Sequence, residues 1–449
     1  MKDSIVGGLS LTSQDFSPPR GMKDIEAKEM AQRLWINQKI LEVLDRYGFQ
    51  LVEPSPIEKL ETLEAKCGPA IKDEIYWFED KAGRKLGLRF DLTVGLARMV
   101  ASRPDLVLPI KLASISNMWR YDEPQYGRYR CFYQWDAEIF GSPNVEADAE
   151  IISLSIDVLQ NVGLENFEVK ISSRKLVEGF LNSIGIKLEQ DVETVLRVID
   201  KYRKLSEEEF IGEMEKVGLN PDQKQKILEF ISIRDKPDKA LEKIVGLVRK
   251  NEKISKGLEE FDRLVESLEA FKKIENCVFD LSIVRGIGYY DGIVFEVYGV
   301  GDESLGAIVA GGRYDGLCKI FGRDLPATGV AGGIERLMLS LEKAKLLVEP
   351  KKRRGIFVVA VNDKVRDKVL ELVEKLRSWK IPADFDMRGR SLTRQLEYAD
   401  KLKFPVCLII GERELKKKVV KIRDMEKKKE SEISLDRLKE TLQSLMGNS

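Results

Sequence analysis

Two β-like runs, Leu112–Arg120 and Tyr129–Phe140, flank the polar segment YDEPQYGR and constrain the fold of this chain more than any other stretch. They predict an antiparallel hairpin with a long functional tip. Along the second run, period-two alternation puts Arg130, Phe132, Gln134, Asp136 and Glu138 on one face. Cys131, Tyr133, Trp135 and Ala137 fall on the other. A guanidinium, a ring, an amide and two carboxylates are costly to bury together unless a ligand satisfies them. The alternative is a solvated sheet face with surface arginines.

At 449 residues the chain exceeds what one compact core usually organises, so two or three domains are expected. A loose arm ends at Pro18-Pro19. From Glu26 to Tyr47 two apolar series recur at helical spacing: Ala27, Met30, Leu34, Leu41 and Leu44, and Ile36, Ile40, Val43 and Tyr47. Short extended segments follow, and residues 145–162 predict another helix. The Lys/Glu/Leu-rich stretch 173–275 has helical periodicity and few aromatics, as a helical insertion would. Glycine-punctuated extended sequence returns at Cys277–Tyr298 and Gly306–Asp315, followed by a helix over Gly332–Ala344. The run VEPKKRRG reads as a linker by charge and proline, and residues 355–449 alternate as βαβαβ, a small separate α/β domain.

The chain contains no histidine. That removes His-ligated zinc, Ser-His-Asp and Cys-His catalysis, and any imidazole general base. Carboxylates, arginines, tyrosines or a bound metal must do the chemistry. Five scattered cysteines without a CxxC pair argue against a disulfide framework or thiolate metal site. Lys plus Arg and Asp plus Glu each number 75, so any nucleic-acid contact must come from local basic patches. The first residues make a poor signal peptide and no segment suits a membrane span, so a reduced, cytoplasmic protein is expected.

Further motifs carry candidate chemistry. LRFDLT, read as a strand, places Arg89, Asp91 and Thr93 on one face, where a carboxylate and a hydroxyl suit a substrate ammonium; an ordinary half-exposed strand is the plainer reading. VRGIGYYDG presents Arg285, Tyr289 and Tyr290 beside two glycines that permit a tight turn or a bulge. AGGRYDGL can bring backbone close to a flat ligand, yet neither a P-loop nor GxGxxG is present. GVAGGIERL runs from a glycine-rich strand into a helix, setting Arg336 near helix-start amides as an anion site.

In this order the motifs resemble one family. RYDEPQYGRYRCFYQ is similar to motif 2 of class II aminoacyl-tRNA synthetases and GVAGGIERL to their motif 3, while VRGIGYYDG and AGGRYDGL resemble the two signatures of histidyl-tRNA synthetases. PRGMKD, LRFDLT, SLTRQLEYADKL and LIIGERELKKKVVKIRD also look like that family, so the resemblance covers nearly the whole chain from Pro18. It implies an α+β fold: a class II antiparallel sheet flanked by helices (1–172 and 276–347), a helical insertion (173–275), a linker (348–354) and a C-terminal anticodon-binding α/β domain (355–449).

The resemblance also implies roles. Arg120 would hold the ATP α-phosphate, Arg128 and Arg336 the γ-phosphate, and Phe132 would stack on adenine. Asp91, Thr93 and Gln134 would bind the amino group and backbone of L-histidine. Glu138 and Tyr290 would address the imidazole nitrogens, with Tyr289 in the same set, and Arg285 would sit over the carboxylate and α-phosphate. Catalysis would rest on Arg120 and Arg285, with ATP and Mg2+ required, the metal ligands unassigned, tRNA(His) as acceptor and a homodimer as the assembly. Asp91, Glu123, Tyr133, Gly288 and Ala310 depart from the commonest bacterial pattern, the first two in an archaeal or eukaryotic direction. A histidine-binding regulatory paralogue of a histidine-biosynthetic phosphoribosyltransferase is the alternative. So is a non-catalytic tRNA-sensing module, though both would be expected to erode these arginines.

Overall fold

The computed structural model describes residues 16–125, 127–248, 251–285, 290–301, 305–349 and 355–447. They fall into two compact units, residues 1–348 and 349–449 by the bounds of the division.

The first unit is built on a nine-stranded sheet. Its strands are β1 (Gln50–Leu51), β2 (Ile110–Trp119), β3 (Cys131–Phe140), β4 (Phe167–Ser173), β5 (Arg234–Asp235), β6 (Cys277–Asp280), β7 (Ile293–Gly299), β8 (Val309–Arg313) and β9 (Ala327–Gly333). Their order is β1-β2-β3-β9-β8-β7-β4-β6-β5. All neighbours run antiparallel except β1/β2 and β4/β6. The expected hairpin is β2–β3, in register from Ile110↔Phe140 to Trp119↔Cys131.

Alternation along β3 sorts its side chains as expected. Trp135, Ala137 and Ile139 pack beneath helices α1 (Ala27–Arg46) and α3 (Glu146–Asn161) in the larger core. On the opposite face Phe132 and Phe140 join Leu112, Met118 and helix α2 (Thr93–Ala101) in a second core. Of the two apolar series in α1, Ile36, Ile40, Val43 and Leu44 are buried, whereas Met30 and Leu34 are exposed. The Ile36 series faces the core, while the other runs from the surface at Met30 and Leu34 into the core at Leu44.

The described residues between 174 and 270 form six α-helices: α4 (Arg174–Ser183), α5 (Glu189–Ile199), α6 (Glu207–Lys216), α7 (Pro221–Ile231), α8 (Pro237–Leu247) and α9 (Glu252–Ala270). Capping boxes at Ser206 and Asn220 start α6 and α7. Phe180, Phe210, Phe230 and Phe261 belong to the same continuous core as α1 and α3. The stretch also contributes strand β5 to the main sheet, which its helical composition did not suggest.

The second unit holds strands β10 (Ile356–Ala360), β11 (Ala383–Phe385), β12 (Val406–Ile410), β13 (Val419–Asp424) and β14 (Lys429–Ser434). Their order is β11-β10-β12-β13-β14. The first three are parallel and are linked by helices Arg366–Ser378 and Leu392–Lys401, the expected βαβαβ. The basic run from Leu415 to Lys429 forms much of the added antiparallel hairpin β13–β14. No helix among the described residues is long and apolar enough to cross a membrane.

Candidate active site

The polar face of β3 is buried: Gln134 is 6%, Asp136 0% and Glu138 1% exposed. Neighbouring strands make room for it by omitting side chains. Gly329 on β9 lies opposite Glu138, and a Cβ there would sit 1.4 Å from Glu138 Oε2. Gly332, from the same strand, lies against the Trp135 indole on the other face. The glycine-rich sequence of β9 is thus explained by close approach rather than by turns.

The carboxylates in this row have definite partners. Tyr314 Oη donates a short hydrogen bond to Glu138 Oε2. Gln134 Nε2 donates to Asp136 Oδ1 at 2.8 Å, and Thr93 Oγ1 stands 3.5 Å from Asp136 Oδ2. Tyr290, buried, meets the Tyr314 ring edge-on at 6.4 Å, and the Arg285 guanidinium lies 5.2 Å above the Tyr290 ring. Arg285 adopts a left-handed φ of 49° and bonds Glu296 at 3.3 Å. Such a conformation is uncommon outside glycine, asparagine and aspartate. Tyr298 Oη also donates to Glu296, at 2.5 Å. Tyr289 lies outside the described residues.

LRFDLT is not a continuous strand. The extended segment ends at Leu88, and α2 begins at Thr93. Asp91 Oδ1 accepts the Val94 N–H at 3.1 Å, so its carboxylate starts a helix, the usual role of an aspartate just ahead of an apolar helical run. Arg89 leaves the expected face: it is buried, donating to the carbonyls of Pro54 (2.6 Å) and Asn117 (3.0 Å) and to Glu53 (3.0 Å).

Next to the row, three arginines gather. Arg120 Nε donates to the Phe90 carbonyl at 2.9 Å, leaving its guanidinium 5.1 Å over the Phe132 ring. Arg128, half exposed, bonds Asp122 at 2.8 Å. Arg336, on helix α10 (Ile334–Lys343), donates to the Ala307 carbonyl at 3.0 Å. Burial and the charges of Arg128 and Arg120 hold its guanidinium below the usual arginine range. A partly buried guanidinium held beside two further arginines is a place an anion would be drawn to. Anchoring comes from beside it. Glu335, buried, accepts Arg33 Nη2 at 2.9 Å and the Tyr133 N–H at 3.0 Å, and Arg33 stacks 4.3 Å over Tyr133.

The opening PRGMKD packs on the hairpin tip, where Gly21 O accepts the Arg130 N–H at 2.8 Å and Arg20 pairs with Glu123. Arg313 of AGGRYDGL is structural, buried against Asp148 at 2.7 Å. Its neighbour Tyr314 is the residue that sequence reasoning missed, since β3, β9 and β8 come together only in the sheet.

Residues 21–337 match the family described as histidyl-tRNA synthetase, and residues 355–445 match the anticodon binding domain. The histidine–tRNA ligase of Thermococcus kodakarensis is 38% identical over 432 residues, 95% of this chain and 98% of that protein. That of Pyrococcus abyssi is also 38% identical over 432 residues, with the same shares. Among solved structures, histidyl-tRNA synthetase from Nostoc sp. PCC 7120 has a TM-score of 0.79 at 28% identity, covering 96% of this chain and 99% of its own. A Bacillus halodurans C structure described as an ATP phosphoribosyltransferase regulatory subunit/histidyl-tRNA synthetase gives 0.73 at 28% identity, covering 88% and 99%.

Proposed function

The chain belongs to the histidyl-tRNA synthetase family, and from that membership we infer that the buried polar row and the arginine group are two halves of one histidine-activating site. The activity is that of a histidine–tRNA ligase. Histidine and ATP give histidyl-adenylate and pyrophosphate, and histidine then passes to the 3′ end of tRNA(His).

Roles follow from the chemistry of each half. Thr93 and Gln134, with Asp91, receive the amino group and backbone of histidine. Glu138, Tyr290 and Tyr289 read the imidazole, and Tyr314 holds Glu138 in place. A site of buried polar groups rejects apolar mimics because they leave those groups unpaired. Arg120 takes the α-phosphate, Arg128 and Arg336 the γ-phosphate, Phe132 the adenine, and Arg285 the carboxylate and α-phosphate together. The histidine carboxylate is already an anion, so its attack on phosphorus needs no protein base. The barrier falls through alignment and fixed positive charge around the phosphorane and leaving pyrophosphate, which the arginines supply. The single observation that carries this reading is the buried row Gln134, Asp136 and Glu138 on β3, with the Arg120 guanidinium over the Phe132 ring of the same strand.

Mg2+ accompanies ATP in this reading and neutralises phosphate charge. Such ions commonly take one or two carboxylates along with the phosphates. Glu296 already accepts hydrogen bonds from Tyr298 and Arg285, and no cluster of three or more metal-ligating side chains forms among the described residues. No protein ligand is therefore assigned, and no step is routed through the ion.

Residues 1–172 and 276–347 form the catalytic core, 173–275 an insertion, 348–354 a linker and 355–449 the anticodon-binding part. The protein works in the cytoplasm as a homodimer, with exposed apolar side chains such as Leu34, Leu51 and Ile57 available to a second copy. The basic strand β13 and its flanks serve tRNA phosphates.

The second reading, a regulatory histidine-binding paralogue, is raised by the Bacillus halodurans structure. It is disfavoured by the anticodon-domain match and by the retained Arg120, Arg285 and Arg336. ATP–pyrophosphate exchange across the twenty amino acids tests the two. Exchange with histidine alone, abolished in Arg285→Ala, is expected; histidine binding without exchange would instead favour the regulatory protein.

A further inference from the structure

Asp136 has no role in the reading above, yet it is the least exposed carboxylate of the β3 row. An ionised carboxylate only accepts hydrogen bonds, so whatever touches it must turn a donor toward it. Gln134 does so with Nε2 at 2.8 Å, and the Thr93 hydroxyl approaches at 3.5 Å, the outer limit of a hydrogen bond. A primary amide and a hydroxyl can each serve as donor or acceptor. Beside Asp136 the amide commits its donor inward, so the Gln134 carbonyl oxygen is turned the other way, and the Thr93 hydroxyl stands within reach of doing the same. Ser114, directly opposite Asp136 on β2, is fully buried and its Oγ makes no hydrogen bond among the described residues. The cross-strand hydroxyl therefore does not share in this arrangement.

We propose that Asp136 is a positioning residue that converts Gln134, and with it Thr93, into acceptors for the protonated α-amino group of the substrate. The inference rests on the assignment of Gln134 and Thr93 to the amino group. Asp91 is tied to the first turn of α2, and Asp136 faces both Gln134 and Thr93.

The test compares ligands with and without the amine on the full-length protein, by calorimetry. Histidinol carries imidazole and ammonium; 3-(imidazol-4-yl)propionate carries the imidazole and no amine. Asp136→Asn and Asp136→Ser free the Gln134 amide to rotate. Each should weaken histidinol about 10- to 100-fold, the scale of a lost charge-assisted hydrogen bond, while binding of the propionate changes less than about threefold. Equal weakening of both ligands, or of neither, in a variant that keeps the wild-type melting profile overturns the proposal. If neither variant folds, Asp136→Thr, better suited to a strand, decides in their place. It must show the same amine-specific loss, and a loss shared by the propionate defeats the idea. Wild-type protein that binds neither ligand would instead overturn the histidine-site reading itself, and this inference with it.

Discussion

Gly329→Ala isolates the geometry of amino-acid recognition. The backbone at Gly329 is ordinary strand, so alanine meets no conformational penalty, and the whole effect comes from one methyl group. That methyl would lie 1.4 Å from Glu138 Oε2, the length of a bond, and 2.3 Å from its Cδ, a severe overlap. The carboxylate must swing away by about 2 Å to restore a normal contact of roughly 3.5 Å. Doing so breaks its hydrogen bond from Tyr314, leaving a phenol with 2% exposure to find another partner. A lost bond to a charged group costs about 1.5–3 kcal/mol and an off-rotamer side chain about 0.5–1.5 kcal/mol, so the fold should lose about 2–4 kcal/mol. The KM for histidine in pyrophosphate exchange should rise about 10- to 100-fold, because Glu138 no longer stands where the imidazole needs it. The KM for ATP should stay within about threefold, since the arginines lie beyond the displaced group. A folded variant with wild-type histidine KM would refute the assignment of Glu138, and an effect confined to ATP would refute the division of the site into two halves.

Asp291 carries a pH-dependent liability. Burial and the nearby Asp315 raise its carboxyl to about 6, from 3.8. The native state then binds more protons than the unfolded one between these values, so stability falls as pH rises through that window and the loss is complete above it. Asp291→Asn should therefore melt with wild type below about pH 4 and be more stable by up to about 3 kcal/mol at pH 7, read from denaturant curves at both pH values. Arg33→Met strands Glu335 in the core, so stability should drop by about 3–5 kcal/mol. In the fraction that stays folded, the ATP KM should rise, since Arg336 follows Glu335 in the helix; an unchanged ATP KM would sever that link. Binding of tRNA should weaken steeply between 50 and 200 mM salt by filter assay, and a flat profile would remove the basic hairpin from the interface.

What could be read from the residues depended on how local the signal was. The β3 face was legible because strand alternation is a period of two, and five successive alternate positions carried polar or aromatic groups. LRFDLT misled because three alternating residues fit a strand as well as a helix entry; the amphipathic run after Asp91 was the available clue. Tyr314 and the Arg33–Glu335 pair were beyond reach for another reason. Their partners lie 176 and 302 residues away, and only the sheet order brings them together. The departure Tyr133 now has a setting: its ring carries the Arg33 guanidinium and its amide helps to hold Glu335.

Because adenine stacking, amine orientation and imidazole reading are all assigned to alternate positions of β3, the two ends of this hairpin should tolerate insertions and deletions very differently. At the tip, Gln125 and Arg128 close a turn by mutual backbone hydrogen bonds of 3.1 and 2.9 Å, and added residues there would only lengthen the excursion. Inside β3, one extra residue would present Tyr133, Trp135 and Ala137 to the substrate and drive Gln134, Asp136 and Glu138 into the helix-packed core. Ladders on both sides, to β2 and β9, leave no edge along which such a slip could be absorbed. Length variation among relatives should accordingly gather at the tip, between Gln125 and Arg128, and vanish between Cys131 and Phe140.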